Sequence, residues 1–166
     1  MSMNTSMSGF RAVRRDQLRE ERVHDAYKLQ KKLAEPAVCS SCNAVFHRGR
    51  WQWLPAPAEA EAVTCPACSR IQDRFPAGFV HLSGKFLAQH RDELLQLVNH
   101  REAKEKAEHP LARIIATEDE AGGLLITTTD IHLARDLGEA LHDAYQGALE
   151  FHYNDAENLL RVHWSR

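Results

Sequence analysis

The sequence has no long apolar run. No stretch of about 18 consecutive apolar residues occurs in its 166 residues, so no segment has the pattern of a membrane-spanning helix. The opening stretch MSMNTSMSGFRAVRRDQLREER also lacks the apolar segment that a secretion signal places between its basic start and its cleavage site. We therefore expect a cytoplasmic protein with no membrane partner.

Recognisable catalytic motifs are missing as well. The sequence contains no GxGxxG or P-loop stretch for nucleotide phosphates, no HExxH motif and no GxSxG nucleophile elbow. Its ten histidines are scattered, and none accompanies a recognisable nucleophile motif. We therefore expect a protein that is not an enzyme.

Cysteine is scarce, but its few positions are informative. The four cysteines form two CxxC pairs, Cys39-x-x-Cys42 and Cys65-Pro-Ala-Cys68. Structural disulfides are rare in a reducing cytoplasm, so this spacing favours metal or redox chemistry. Two CxxC knuckles together supply four thiolates in a tetrahedral array, which is the ligand set of a structural Zn²⁺ site without an open coordination position. A rubredoxin-like iron site and a dithiol redox pair are the alternatives.

We predict an α+β protein in four segments. Residues 1–35 form a basic N-terminal arm with at most a weak helix, and residues 36–82 form a four-cysteine zinc ribbon whose long inter-knuckle connection contains the loop PAPAEAEA. Residues 83–109 form a long connecting helix that ends before a proline. Residues 110–166 form a ββαββ domain, with a helix that Thr129 or Asp130 caps.

Charge is distributed unevenly along the chain. The first 91 residues carry 14 lysines and arginines against eight acidic residues, whereas the remainder carries seven against 15. An anionic partner would therefore meet the N-terminal half, and a protein partner could meet the acidic C-terminal domain.

Arginines and tryptophans follow the first knuckle in the stretch CSSCNAVFHRGRWQW. If this segment is one strand, alternation places Arg48, Arg50 and Gln52 on one face and His47, Trp51 and Trp53 on the other. The arginines could contact phosphates while a tryptophan stacks on an unpaired base; alternatively, the tryptophans cover the metal site and the arginines are only solvated. The candidate RNA contacts are Arg11, Arg14, Arg15, Arg48, Arg50, Trp51, Trp53, Arg70 and Arg74.

Four stretches together resemble a family of small bacterial zinc-ribbon proteins with little functional description. They are CSSCNAVFHRGRWQW, CPACSRIQDRFPAGFVHLSG, HPLARI and ITTTDIHLARDLGEAL. More loosely, the paired CxxC elements and the later sequence TTTDIHLAR are similar to part of the archaeal and eukaryotic adaptor of the large ribosomal subunit, the NMD-three family. That adaptor carries more CxxC pairs than the two found here, so its biological task is not carried over.

The resemblance implies a zinc-ribbon module that docks on ribosomal RNA, with the second domain extending along the ribosomal subunit. On that basis the first hypothesis is a non-enzymatic factor that binds the ribosome in stress, hibernation or assembly. The second is a protein-interaction adaptor or regulator in which the zinc ribbon is only a scaffold. A metal-dependent redox sensor is the third.

Overall fold

The computed structural model describes residues 10–12 and 33–166, which form a mixed α+β fold with three helices and two sheets. This confirms the predicted α+β class. The strands are β1 (Arg11–Ala12), β2 (Ala37–Cys39), β3 (Val45–His47), β4 (Arg50–Gln52), β5 (Glu61–Val63), β6 (Gly78–Ser83), β7 (Ile114–Glu120), β8 (Gly123–Thr128), β9 (Ala148–Asn154) and β10 (Leu159–Ser165). The helices are α1 (Pro66–Asp73), α2 (Lys85–Glu108) and α3 (Ile131–Tyr145).

The smaller sheet has the strand order β4-β3-β2-β5. Strands β3 and β4 form a hairpin, and its turn residues Arg48 and Gly49 both have positive φ angles, 51° and 78°. That backbone matches the two-residue turns that suit the twist of antiparallel strands. The expectation of alternation along a single strand is therefore wrong. In the hairpin His47 lies opposite Arg50 and shares its face, while Trp51 lies opposite Phe46.

The larger sheet has the strand order β1-β9-β10-β6-β8-β7. Its β7–β8 and β9–β10 pairs flank α3 in the chain, within the segment for which a ββαββ domain is predicted. Strand β6 lies between these two pairs, parallel to β10 and antiparallel to β8. The ββαββ segment thus does not form this sheet alone.

The predicted end of the ribbon segment at residue 82 requires correction, because it assigns β6 to the wrong module. Val80 and Leu82 of β6 are fully buried in the core of the larger sheet. Without β6, β8 and β10 would both expose unpaired backbone donors and acceptors in the middle of the sheet.

Helices α2 and α3 pack together and cover one face of the larger sheet. The α3 helix begins at the predicted cap, where the Asp130 carboxylate accepts from the backbone N–H groups of His132 and Leu133. The predicted connecting helix corresponds to α2, but its role differs from that of a simple connector. Its buried Leu94 and Val98 belong to the sheet core, so α2 is part of the packed structure.

Two separate apolar clusters are present in the described residues. One lies between the larger sheet and its two helices, and the other surrounds the cysteines, with Ala44, Ala67, Trp51 and Leu111 packed against them. None of the helices described here is both long enough and apolar enough to cross a membrane.

Candidate metal centre

The two CxxC pairs converge on one point. The four sulfur atoms all lie within 4.8 Å of one another, with Cys42 Sγ and Cys65 Sγ 3.8 Å apart, and no disulfide joins them. A tetrahedron of thiolates around a metal at about 2.3 Å has sulfur–sulfur edges of roughly 3.8 Å, so the donor set fits a bound metal ion. Among the described residues, this is the one group of three or more potential metal ligands so close together.

The local backbone of each knuckle explains this convergence. In the first, Cys39 ends β2, and the N–H of Asn43 donates to the Cys39 carbonyl at 2.8 Å, which folds the loop back to Cys42. In the second, Cys65 caps α1, and its sulfur accepts from the N–H of Cys68 at 3.4 Å. The N–H of Cys65 also donates to Cys39 Sγ at 3.3 Å. Backbone amides of the second knuckle thus point at Cys39 Sγ and Cys65 Sγ.

The thiols differ in acidity. Burial raises the pKa of Cys39, but hydrogen bonds from the backbone N–H groups of Cys65, Cys42 and Ser41 outweigh it and lower that pKa to about 6. Burial dominates at Cys65 and at Cys68, and raises the pKa of both thiols. A divalent cation would stabilise all four thiolates together and displace the protons that the buried thiols retain.

Arg113 joins the centre from the larger sheet module. Its side chain is only 7% exposed, and it donates from Nη1 to Cys68 Sγ at 3.2 Å and from Nη2 to Cys42 Sγ at 3.0 Å. Nη2 also lies 3.6 Å from Cys65 Sγ. Burial lowers the pKa of Arg113, but its hydrogen bonds to Cys68 and Cys42 outweigh burial and raise the pKa overall. The guanidinium therefore spans three of the four sulfurs as a cation.

Further hydrogen bonds fix the position of Arg113. Its Nε donates to the carbonyl of Pro110 at 2.8 Å, and its backbone N–H donates to Thr129 Oγ1 at 3.0 Å. Thr129 in turn donates from Oγ1 to the carbonyl of Leu111 at 2.6 Å and directly precedes the cap of α3. A hydrogen-bonded path therefore runs from the cysteines to the start of α3.

This arrangement supplies charge compensation. Four thiolates around a divalent cation carry a net charge of −2, and a buried negative charge is costly unless a cation or hydrogen-bond donors face it. Arg113 supplies one positive charge and two short hydrogen bonds, which orient the ligands as groups around metal ligands commonly do. A metal ion held by all four sulfurs would have no open coordination position for a substrate.

The predicted RNA-binding arginines divide into two groups. Arg48 and Arg50 are exposed at the tip of the β3–β4 hairpin, and Arg74 is exposed at the end of α1. Arg70 is only 2% exposed and donates from Nη1 to the carbonyl of Phe75 at 2.9 Å, so its prediction as a phosphate contact is corrected. Its position in α1, close behind buried Ala67 and Cys68, turns it inward.

The two tryptophans have different environments. Trp51 is half-buried, packs against the cysteine cluster and lies 5.4 Å from the ring of Phe46. Trp53 is 38% exposed, and its Nε1 donates to the carbonyl of Lys106 near the end of α2 at 2.7 Å. Trp51 thus shields the centre, while Trp53 attaches the smaller sheet to α2 and keeps part of its ring accessible.

Of the predicted arm contacts, Arg11 lies in β1 and forms an ion pair with Asp155 at 2.7 Å. Arg14 and Arg15 lie outside the described residues.

Comparison of the chain with models of protein families, with curated proteins and with solved structures gives no significant match.

Proposed function

We propose that the chain is a non-enzymatic zinc-ribbon protein that binds the ribosome through ribosomal RNA, as a stress, hibernation or assembly factor. Zn²⁺ is the proposed metal because four thiolates that enclose an ion without an open position are typical of structural zinc sites. The metal would fold the smaller sheet into a rigid support for the side chains around it.

The observation that carries this proposal is the state of the arginines on the smaller module. Arg48, Arg50 and Arg74 are exposed and form no ion pair with any residue that the structure describes. Elsewhere in the described chain, Arg91 and Arg101 each pair with an aspartate at 2.6–2.7 Å. Exposed guanidinium groups without a carboxylate partner are suited to phosphate oxygens, which they can bind through two parallel hydrogen bonds.

An accessible aromatic surface accompanies these cations. Trp53 and its neighbour Leu54 are among the most exposed large apolar side chains of the described residues. A partly exposed indole on the same module as these cations suits an unpaired base, because recognition of single-stranded RNA combines stacking with contacts to phosphate. The family resemblance of the two CxxC segments points to the same partner.

The proposal is tested by sedimentation of ribosomes with the purified protein on a sucrose cushion. We expect wild-type protein to sediment with ribosomes at low salt and to be released as salt rises, because each neutralised phosphate releases condensed counterion. The double variant Arg48→Ala/Arg50→Ala should bind more weakly and with a smaller salt slope.

A matched control is Lys85→Ala/Lys104→Ala, which removes two exposed cations from α2 and should leave binding unchanged. Equal binding by wild type and the arginine variant would contradict the phosphate role. Absence of co-sedimentation at any salt concentration would contradict ribosome binding altogether.

A protein-interaction adaptor is the second candidate, and one feature favours it. A groove of about 470 Å³ is lined by residues of α2 and α3, among them the apolar Leu97 and Ala140 and the acidic Glu139 and Asp143, together with Arg101 and its ion-pair partner Asp136. Such a groove suits a basic amphipathic segment of a partner. In the sedimentation test, this function predicts that ribosome association depends on these carboxylates and not on Arg48 and Arg50.

A further inference from the structure

Three histidines that are far apart in the sequence meet on one face of the larger sheet. The rings of His81 in β6 and His163 in β10 stack with centroids 4.6 Å apart and planes 7° apart, and His152 in β9 meets His163 edge-on at 5.5 Å. Their strand neighbours Val80 and Val162 are buried beneath the helices. Because side chains alternate along a strand, the histidines project from the opposite face of the sheet.

The contacts of His81 determine which ring nitrogen carries its proton. Glu120 Oε1 lies 2.7 Å from His81 Nδ1, and Arg161 Nη1 lies 2.9 Å from His81 Nε2. A guanidinium only donates, so Nε2 must accept, and the ring proton is on Nδ1, where it is donated to Glu120. This chain of hydrogen bonds requires a neutral imidazole.

Arg161 connects this chain to the N-terminal strand. Its buried guanidinium lies over the ring of Phe79 at 4.2 Å and over the ring of Phe10 at 5.1 Å. Phe10 immediately precedes β1, whose Ala12 lies opposite His152. Strand β1 is two residues long and sits at the edge of the sheet, where the described contacts that attach it include its pairing with β9 and the ion pair of Arg11 with Asp155.

Charged and titratable side chains reach this face from four strands. They are Glu118 and Glu120 of β7, His81 of β6, Arg161 and His163 of β10, and Glu150 and His152 of β9. Strand β8 contributes the uncharged Leu125 and Thr127. Burial is the main cause that lowers the pKa of His163, and the neighbouring His81, His152 and Arg161 lower it further. Protons added to the side chains of this face therefore repel one another.

Two other roles for this cluster are disfavoured. The described ligand atoms of these histidines and carboxylates do not come close enough together in threes to hold a metal ion. An anion is also disfavoured at neutral pH, because Glu120 and Glu150 lie 2.7 Å and 3.5 Å from His81 and His152 and already face them.

We propose that His81, His152 and His163 with Arg161 form a pH-dependent latch, here called the histidine latch, which holds Phe10 and β1 against the sheet when the histidines are neutral. A proton on His81 Nε2 removes the acceptor for Arg161 and places two cations within 2.9 Å of each other. Arg161 then moves from its position over Phe10. Phe10 loses its contact with the guanidinium, and β1 detaches from β9.

NMR spectroscopy of the full chain between pH 7.5 and pH 5 tests the histidine latch. The readouts are the cross-strand NOE contacts between Ala12 and His152 and the imidazole titrations of the three histidines. We expect the NOE contacts to weaken at least fivefold as pH falls, with a midpoint that coincides with the titration of His81 or His163. Contacts between β6 and β8 should stay constant.

The variant His81→Gln/His163→Gln should keep β1 attached down to pH 5, because a glutamine amide can accept from Arg161 and donate to Glu120 without titrating. The control His100→Gln, an exposed position on α2, should retain the transition. Loss of contact near pH 4 would overturn the proposal, because it would trace the release to Asp155, the ion-pair partner of Arg11. If the glutamine variant does not fold, the wild-type protein still decides. The proposal is overturned if the midpoint of the NOE loss differs from the midpoints of the His81 and His163 titrations.

Discussion

Arg113 and Cys42 are 71 positions apart in the sequence, yet Nη2 of Arg113 donates a 3.0 Å hydrogen bond to Cys42 Sγ. Through this contact the candidate metal centre includes a residue of the larger sheet module as well as its four cysteine ligands. Because the N–H of Arg113 donates to Thr129, which precedes the cap of α3, hydrogen bonds connect the cysteines to the residue before that cap.

The first prediction concerns metal affinity. The substitution Arg113→Met removes the cation that faces the thiolates. Loss of a group that supports metal ligands typically weakens metal affinity about 10–100-fold. The metal affinity of Arg113→Lys should lie between those of Arg113→Met and the wild type, because one ammonium group cannot reach three sulfurs in a fixed fork. Competition with a chromophoric chelator measures the affinity. The control Arg91→Met, at an exposed ion pair on α2, should behave as wild type, and an unchanged affinity in Arg113→Met would exclude the proposed role.

Metal removal should affect the two sheets differently. The described cluster around the cysteines contains few apolar side chains, so we expect the smaller sheet to depend on a bound metal for its stability. On chelation we expect hydrogen-exchange protection to disappear at Val38 and Val45, and to persist at Ile126 and Val162 in the larger sheet. Restoring the metal should restore the protection. Equal loss in both sheets would show that the larger sheet also requires the metal.

Metal binding should release protons. At pH 7 the Cys65 and Cys68 thiols, whose pKa values burial raises above the ordinary value, retain their protons, and each must lose one to bind a metal. Cys39, with a pKa of about 6, retains its proton only below that pH. The metal affinity should therefore fall more steeply as pH decreases through 6. Calorimetric titration of metal in two buffers with different ionisation enthalpies counts the protons. Binding at pH 7 without proton release would contradict this assignment.

The position of β6 can be tested with one substitution. A Cβ atom at Gly78 would lie 2.3 Å from Thr128 Oγ1 and 2.5 Å from Ala134 Cβ, so Gly78→Ala overpacks the contact between β6 and α3. We expect the free energy of unfolding to fall by about 1–3 kcal/mol, measured by urea denaturation. The control Ser83→Ala lies at the partly exposed end of the same strand and should cost little. Similar stability of both variants would place β6 away from α3.

Local signals in the sequence predicted the parts of the structure that local physics determines. The CxxC spacing indicated the four cysteines that come together, and Asp130 before an amphipathic run indicated the start of α3. The Arg48-Gly49 turn also had a signal, because glycine readily supplies the positive φ that a tight hairpin needs, but the prediction treated the segment as one strand.

Features that depend on distant partners could not be predicted in this way. One neighbour of β6 is β10, about 80 positions later, and parallel pairing across two intervening helices leaves no turn signal. Arg113 and Arg70 are buried by contacts that composition does not reveal. His81 and His163 meet only because that strand pairing brings them to adjacent positions.

X-ray absorption spectroscopy of the protein as purified, without added metal, tests the central claim most directly. A zinc edge with four sulfur ligands at about 2.3 Å is the predicted result. An iron edge, a shell that includes nitrogen or oxygen, or protein free of metal with reduced cysteines would contradict the zinc centre on which the proposed function depends.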